Sequence, residues 1–228
     1  MKVLEFDNRL FAPHQHITFI RVDPEDLSIT IKEIIHSLYD KSWISQFNNK
    51  YIKMSFEKRV SDSAKYLANK LLKSENGNVY SDTGEYIVSE LARKTIVSQM
   101  NYLDVPLAEL FKEQISGNPG FDFYSENNDK IIIFGESKYL NDRNAYGSGM
   151  KQVAEFIKNE QDISDLNDID KFFSSESLNL AADGQKAYAV AFSSKSTSTK
   201  KIIEGIKEHK NYGDLVQHKE IIFVAVNI

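Results

Sequence analysis

Asp122, Glu136 and Lys138 are the residues of this chain whose types and spacing best suit bond-breaking chemistry. They stand on either side of a short polar turn in "GFDFYSENNDKIIIFGESKYL", residues 120–140. The run Ile131-Ile132-Ile133-Phe134 is apolar without alternation, the pattern of a strand covered on both faces. Glu136 and Lys138 follow it two positions apart, so on a strand both point to one face. Asp122 joins that face only if paired residue numbers sum to an even number, because a slip of one residue flips the strand. A five-residue loop, Glu126 to Lys130 centred on Asn128, predicts Asp122 opposite Phe134 and Glu136 diagonal to it, at roughly 7–8 Å.

Two carboxylates that share a pocket of low polarity repel each other, and each is costly to desolvate. A hard divalent cation resolves the conflict, since Mg²⁺ takes carboxylate and carbonyl oxygens and keeps several waters. The backbone carbonyl of Ser137 lies between the two charged positions and would face the ion. Lys138 would sit where it can orient a water or stabilise charge on a phosphate, so hydrolysis of a phosphodiester is the natural reaction. Helical spacing back from Ala92 and Val88 lands on Glu85, a carboxylate expected on the stripe facing the sheet and able to join the metal site through a water. Glu85 has a competing reading, because Asp82 and Glu85 also have the spacing of a capping box.

The elements that would position these residues follow from periodicity and punctuation. Residues 16–22 read as a strand, and a helix start is expected at Asp23-Pro24. A second helix is expected over 53–73, closed by the turn Glu75-Asn76-Gly77-Asn78, and a third from Asp82 with Val88, Leu91, Ala92, Thr95 and Ile96 as its apolar face. Strands are expected at 107–115, 120–124 and 130–138, then a helix over about 148–159 and an acidic, solvated stretch from Glu160 to Asp183. The strand "AYAVAF", the helix "TKKIIEGIKEHK" and the strand "EIIFVAV" complete the order. This is the order of a mixed α/β sheet covered by helices, with residues 1–78 as an N-terminal α+β extension and 79–228 as the core domain.

The quoted hairpin, preceded by "GEYIVSELARK" and followed by a helix bearing Gln152, resembles the PD-(D/E)xK phosphodiesterase superfamily. The Asp then Glu-x-Lys pattern falls on Asp122, Glu136 and Lys138, and the family's helical acid falls on Glu85. The first motif departs from the pattern, with Gly120-Phe121 before Asp122 and Pro119 earlier. "TGEYIVSELARK", "GNPGFDFY" and "IIIFGESKYL" are similar to HamA-type nuclease subunits of Hachiman anti-phage systems, over about residues 80–160. The resemblance implies a restriction-endonuclease-like fold and a DNA endonuclease dependent on Mg²⁺, with Mn²⁺ as a substitute. It also implies a helicase partner of the HamB kind. A self-sufficient restriction or repair endonuclease, and a non-catalytic module that docks on a helicase, are the alternatives.

Composition sets bounds on both. The formal net charge of -5 is unlike that of a protein that coats nucleic acid, so any DNA contact must be local or shared with a partner. There is no Cys, which removes thiolate chemistry and disulfides, and no apolar run approaches a membrane span. The first sixteen residues lack a signal-peptide core, and these features together predict a cytoplasmic protein. Gly147-Ser148-Gly149 opens a helix and could receive a phosphate at Ser148, or could simply be a loose helix start. Gln152 faces either the site or solvent, while Lys195, Lys200 and Lys201 either grip a DNA backbone or solubilise a loop. His14 and His16, with no carboxylate cluster nearby, read as surface histidines.

Overall fold

A computed structural model describes residues 1–73, 79, 81–112 and 120–228, with the side chains at 81 and 82 excepted. Among them six strands form one sheet: β1 (Lys2–Asp7), β2 (Ile17–Asp23), β3 (Phe123–Glu126), β4 (Ile132–Lys138), β5 (Ala187–Ser194) and β6 (Glu220–Asn227). Their spatial order is β1-β2-β6-β5-β4-β3. The inner four are parallel, and each edge strand runs antiparallel to its neighbour. Buried parallel strands need apolar side chains on both faces, and β5 and β6 carry such unbroken runs, while β2 is buried with Thr18 and Arg21 among its apolar residues. By contrast β1 alternates exposed and half-buried positions, the pattern of an edge.

The helices are α1 (Leu27–Leu38), α2 (Lys50–Leu72), α3 (Ser81–Met100), α4 (Ala108–Phe111), α5 (Tyr146–Lys158), α6 (Gln161–Ile169), α7 (Ser175–Ala182), α8 (Thr199–Lys207) and α9 (Tyr212–Leu215). The expected apolar face of α3 is buried throughout, from Val88 to Ile96, and it packs across β3, β4, β5 and β6. The protein is thus α/β, a mixed sheet flanked by helices. The expected boundary at residue 78 separates neither sheets nor cores. β2 pairs with β6 over six residues, and the buried side chains of both parts join one cluster.

Several expectations are corrected. The first helix is capped by Asp26, whose carboxylate accepts from Ile29 N at 2.9 Å; Asp23 accepts instead from Glu25 N and Asn227 Nδ2. Residues 107–115 were expected as a strand, but 108–111 form the helical turn α4, where Ala108 N donates to Asp122 O at 3.0 Å. The acidic stretch 160–183 is not a solvated excursion: it folds into α6 and α7 and buries two aspartates. Asp165 accepts from Tyr124 OH, Lys112 Nζ and Phe121 N; Asp162 accepts from Lys186 Nζ and Tyr188 OH. Full pairing is what lets carboxylates lie under a helix layer. The strand β1 was not anticipated. The turn at 75–78, residues 113–115, Pro119 and the Asp82 side chain of the capping box lie outside the described residues. Among the described residues no helix is long and apolar enough to cross a membrane.

Because Asp162 is 1% exposed and neutralises Lys186, its removal strands a buried ammonium and a phenol. Asp162→Ala is expected to lower unfolding free energy by about 3–5 kcal/mol, read by urea denaturation. A loss under about 1 kcal/mol would show that α6 is not held by this pair.

Candidate active site

The β3–β4 register decides whether the site exists. Phe123 pairs with Gly135 and Tyr124 with Phe134, so paired numbers sum to an even value, as the shared face requires. The hairpin is nevertheless two residues out from the expected register. The loop runs from Asn127 to Ile131, and Asn127 N donates to Ile131 O at 3.1 Å. Pairing ends at Phe123 and Gly135, so Asp122 lies just outside the ladder and not at the diagonal position expected. Lys130 adopts a positive φ of 64°, and the Asn127 side chain accepts from Asp129 N and Ile131 N, which together close this turn.

At Asp122 the ladder gives way. Asp122 N donates to Gly135 O at 2.9 Å, and its Oδ2 accepts from Ser137 N at 2.7 Å. A side-chain carboxylate thus takes the place a strand carbonyl would have filled. Within a strand a residue's N–H and C=O face the same edge, so the Ser137 carbonyl also looks toward Asp122. Glu136 is 1% exposed; its Oε1 lies 2.9 Å from Lys138 Nζ, and its Oε2 is buried with no hydrogen-bond partner. Lys138 Nζ also donates to Glu85 Oε1 at 3.2 Å.

Two glycines let the helices come this close. A Cβ on Gly84 would lie 2.2 Å from Tyr139 Cγ, so only glycine allows the start of α3 to rest on that ring with Glu85 beside Lys138. A Cβ on Gly149 would lie 2.8 Å from Val190 Cγ1, and 3.9 Å from Lys138 Cγ, so α5 backs directly onto the lysine. Glu85 was expected beneath the sheet. Its side chain is 43% exposed, so it stands at the mouth of the site and meets the cluster through Lys138.

Electrostatics record the crowding. Burial pushes the Asp122 carboxyl up to about 7, against the pull of Lys138 and the Ser137 N–H, and Glu85 adds to the rise. Burial, then the charge of Asp122, raises Glu136 well above the carboxylate range. Burial opposes the charge on Lys138, but Glu136, Asp122 and Glu85 override it and raise its pKa. Lys138 is therefore an ammonium at neutral pH.

One member of the site was missed. Glu109, on α4, has a buried Oε2 without a hydrogen-bond partner. Burial pushes its carboxyl up to about 8, with Asp122 the leading charge behind the rise. Nothing in the spacing of "PLAELF" marks it, since tertiary contacts, among them the bond from Ala108 N to Asp122 O, bring α4 to this place.

Other expected contacts stay apart from the cluster. Ser148 is exposed in the first turn of α5 and Gln152 is half-buried one turn on; neither hydrogen-bonds to Asp122, Glu136 or Lys138. Lys200 and Lys201 project from the first turn of α8, after the same end of the sheet at which Lys138 closes β4. Lys195 is engaged elsewhere: its ammonium donates to Ile228 O at 2.5 Å and lies over the Tyr139 ring. His16 bonds to Val216 O at 2.9 Å with His14 edge-on beside it, away from the site.

As for a metal, among the described residues no three His, Cys, Asp or Glu side chains are grouped as a ready cage. The donors nonetheless suit a hard cation that keeps most of its waters: a buried carboxylate oxygen with no partner, the Asp122 carboxylate, and the Ser137 carbonyl facing the same edge.

The carboxyl shifts carry a pH signature. An unfolded Asp loses its proton near 3.9, while folded Asp122 holds its own up to about 7. The native state therefore binds more protons across this window, and stability falls as pH rises through it. In cation-free buffer the protein is expected to be less stable at pH 8 than at pH 5. Asp122→Asn is expected to flatten that slope, measured by denaturant midpoints across pH. An unchanged slope would place the Asp122 carboxyl in the ordinary range.

Compared with known proteins, the chain matches no family model, no curated protein and no solved structure.

Proposed function

We propose that this protein is a divalent-cation-dependent DNA endonuclease of the PD-(D/E)xK type, with a restriction-endonuclease-like sheet. The observation that carries the reading is Glu136 Oε2, a carboxylate oxygen that is buried, unpartnered and set beside a second raised carboxyl. An orphaned buried acceptor costs about 1–3 kcal/mol, more when charged, and such a cost is retained where function uses the group. A surface ion pair would not need it.

In this reading Asp122, Glu136 and the Ser137 carbonyl hold Mg²⁺ or Mn²⁺. The cation supplies electrostatic stabilisation of the scissile phosphate. Lys138 cannot serve as a base while it is an ammonium. Gripped by Glu136 at 2.9 Å and Glu85 at 3.2 Å, it is fixed to donate a hydrogen bond to the attacking water or to a phosphate oxygen. Glu85, open to solvent, holds Lys138 in place and lies where a proton can leave. A purely docking module gains nothing from these crowded charges. The resemblance to HamA-type subunits and the net charge of -5 support action beside a HamB-like helicase that supplies most phosphate contacts.

Glu136→Ala is expected to abolish Mg²⁺-dependent DNA cleavage with the fold intact. Lys138→Ala is expected to keep cation binding and lose about 10²–10⁴-fold in turnover. Cleavage at full rate by Glu136→Ala would end the assignment. If cation affinity collapses in Lys138→Ala, the lysine is structural.

The partner is tested by titrating salt against DNA binding in Ca²⁺. The free chain is expected to show weak binding and a shallow slope, and its complex with the helicase a steep one. Tight binding with a steep slope by the free chain would favour a self-sufficient nuclease.

A further inference from the structure

Two tyrosines flank the mouth of the site without a part in the proposed hydrolysis. Tyr86 follows Glu85 directly on α3, and Glu85 Oε1 is 3.2 Å from Lys138 Nζ. Tyr66 reaches the same place from α2 and is 49% exposed. Lys70, one turn after Tyr66, joins the two rings: its ammonium lies 4.8 Å from the Tyr66 ring centroid and 5.6 Å from that of Tyr86. Burial raises the Tyr86 hydroxyl, with Glu109, Tyr66, Asp122 and Glu85 adding to the rise, so this ring is within range of both Tyr66 and the acidic cluster.

Folding does not account for Tyr66. The core-facing stripe of α2 is Phe56, Val60, Ala64, Leu67 and Leu71, and Tyr66 lies off it. The helix also departs from the charge of the chain, with six Lys and Arg against Glu57 and Asp62 in a protein of net charge -5. An exposed ring beside an ammonium on a basic helix fits a ligand that carries a flat π-face next to a negative group. A nucleotide does so: its base stacks on the ring while its phosphate meets the ammonium. An acidic protein surface would match the lysines alone. Within a duplex each base is already stacked between its neighbours, so only an unpaired base can lie on a side-chain ring.

We propose that Tyr66, Lys70 and Tyr86 form a stacking platform for an unpaired base next to the scissile phosphate, which makes single-stranded or frayed DNA the substrate class of this site. The inference rests on the endonuclease reading and narrows its substrate, and it is tested by binding, in which turnover plays no part.

The test uses the full chain in Ca²⁺ at low salt, with a single strand of about twenty nucleotides and the blunt duplex of the same length as probes. The strand is thymidine interrupted by 2-aminopurine, whose fluorescence drops when it stacks on a ring. Wild type is expected to bind the strand more tightly than the duplex and to quench it. Tyr66→Leu keeps the bulk and removes the π-face. It is expected to lose about 5–100-fold in affinity for the strand, with a smaller quench and unchanged duplex binding. Tyr66→Phe is expected to behave as wild type. Lys70→Met is expected to lower the salt slope by about one while the quench persists. Tyr86→Leu is expected to lose the same signal as Tyr66→Leu, which decides the question if the change at half-buried Tyr86 lowers stability. Equal wild-type affinity for strand and duplex, or a Tyr66→Leu that binds and quenches as wild type does, overturns the platform and leaves the endonuclease reading standing. A Tyr66→Leu that keeps the strand but loses a helicase partner assigns the ring to protein docking and also overturns the platform. A wild type that binds and quenches the strand but cleaves no DNA in Mg²⁺ overturns the endonuclease reading and leaves the platform as a binding site.

Discussion

The hydrogen bond from Ser137 N to Asp122 Oδ2 is the constraint on which the site is built. β3 begins only at Phe123, so the outer edge of β4 lacks a strand partner just where Glu136 and Lys138 emerge. A side-chain carboxylate fills that gap. It ends the ladder, fixes Asp122 beside Glu136 and leaves the Ser137 carbonyl facing the same opening. A backbone carbonyl there would have satisfied the N–H equally well but would have brought no charge.

The fold treats its buried charges in two ways. Under α6, Asp162 and Asp165 each meet a lysine and a tyrosine hydroxyl. Glu90 on α3 meets Arg93 at 2.8 Å and Lys94 at 3.2 Å. These carboxylates are matched donor for donor, and they hold layers together. At the end of β4 the matching stops: Lys138 Nζ reaches Glu136 and Glu85, while one oxygen each of Glu136 and Glu109 lies buried without a hydrogen-bond partner. That contrast within one molecule separates charge matched within the fold from charge left unmatched.

Much of this was legible in the chain. Unbroken apolar runs over 131–134, 187–192 and 221–226 can only be strands buried on both faces, so they gave a parallel-rich sheet. The alternation of a strand is a strict period of two, so Glu136 and Lys138 had to share a face in any sheet. The stripe from Val88 to Ile96 similarly had to face that sheet. These are local properties, and local geometry enforces them.

Tertiary structure decided the rest. An expected loop centred on Asn128 and an observed one centred on Asp129 are equally allowed by composition, yet they differ by two residues in register, and the observed ladder ends before Asp122. The aspartates of 160–183 look solvated until α6 lays them against Tyr124 and Tyr188. Glu109 carries no signal in its neighbours, because it joins the site through a backbone bond between α4 and the start of β3. The sequence alone determined which side chains share a face, since a strand's period is set by covalent geometry. Which elements meet end to end, and hence which carboxylates crowd into one pocket, was decided only by packing, because burial rewards total apolar area rather than any one pair of residues.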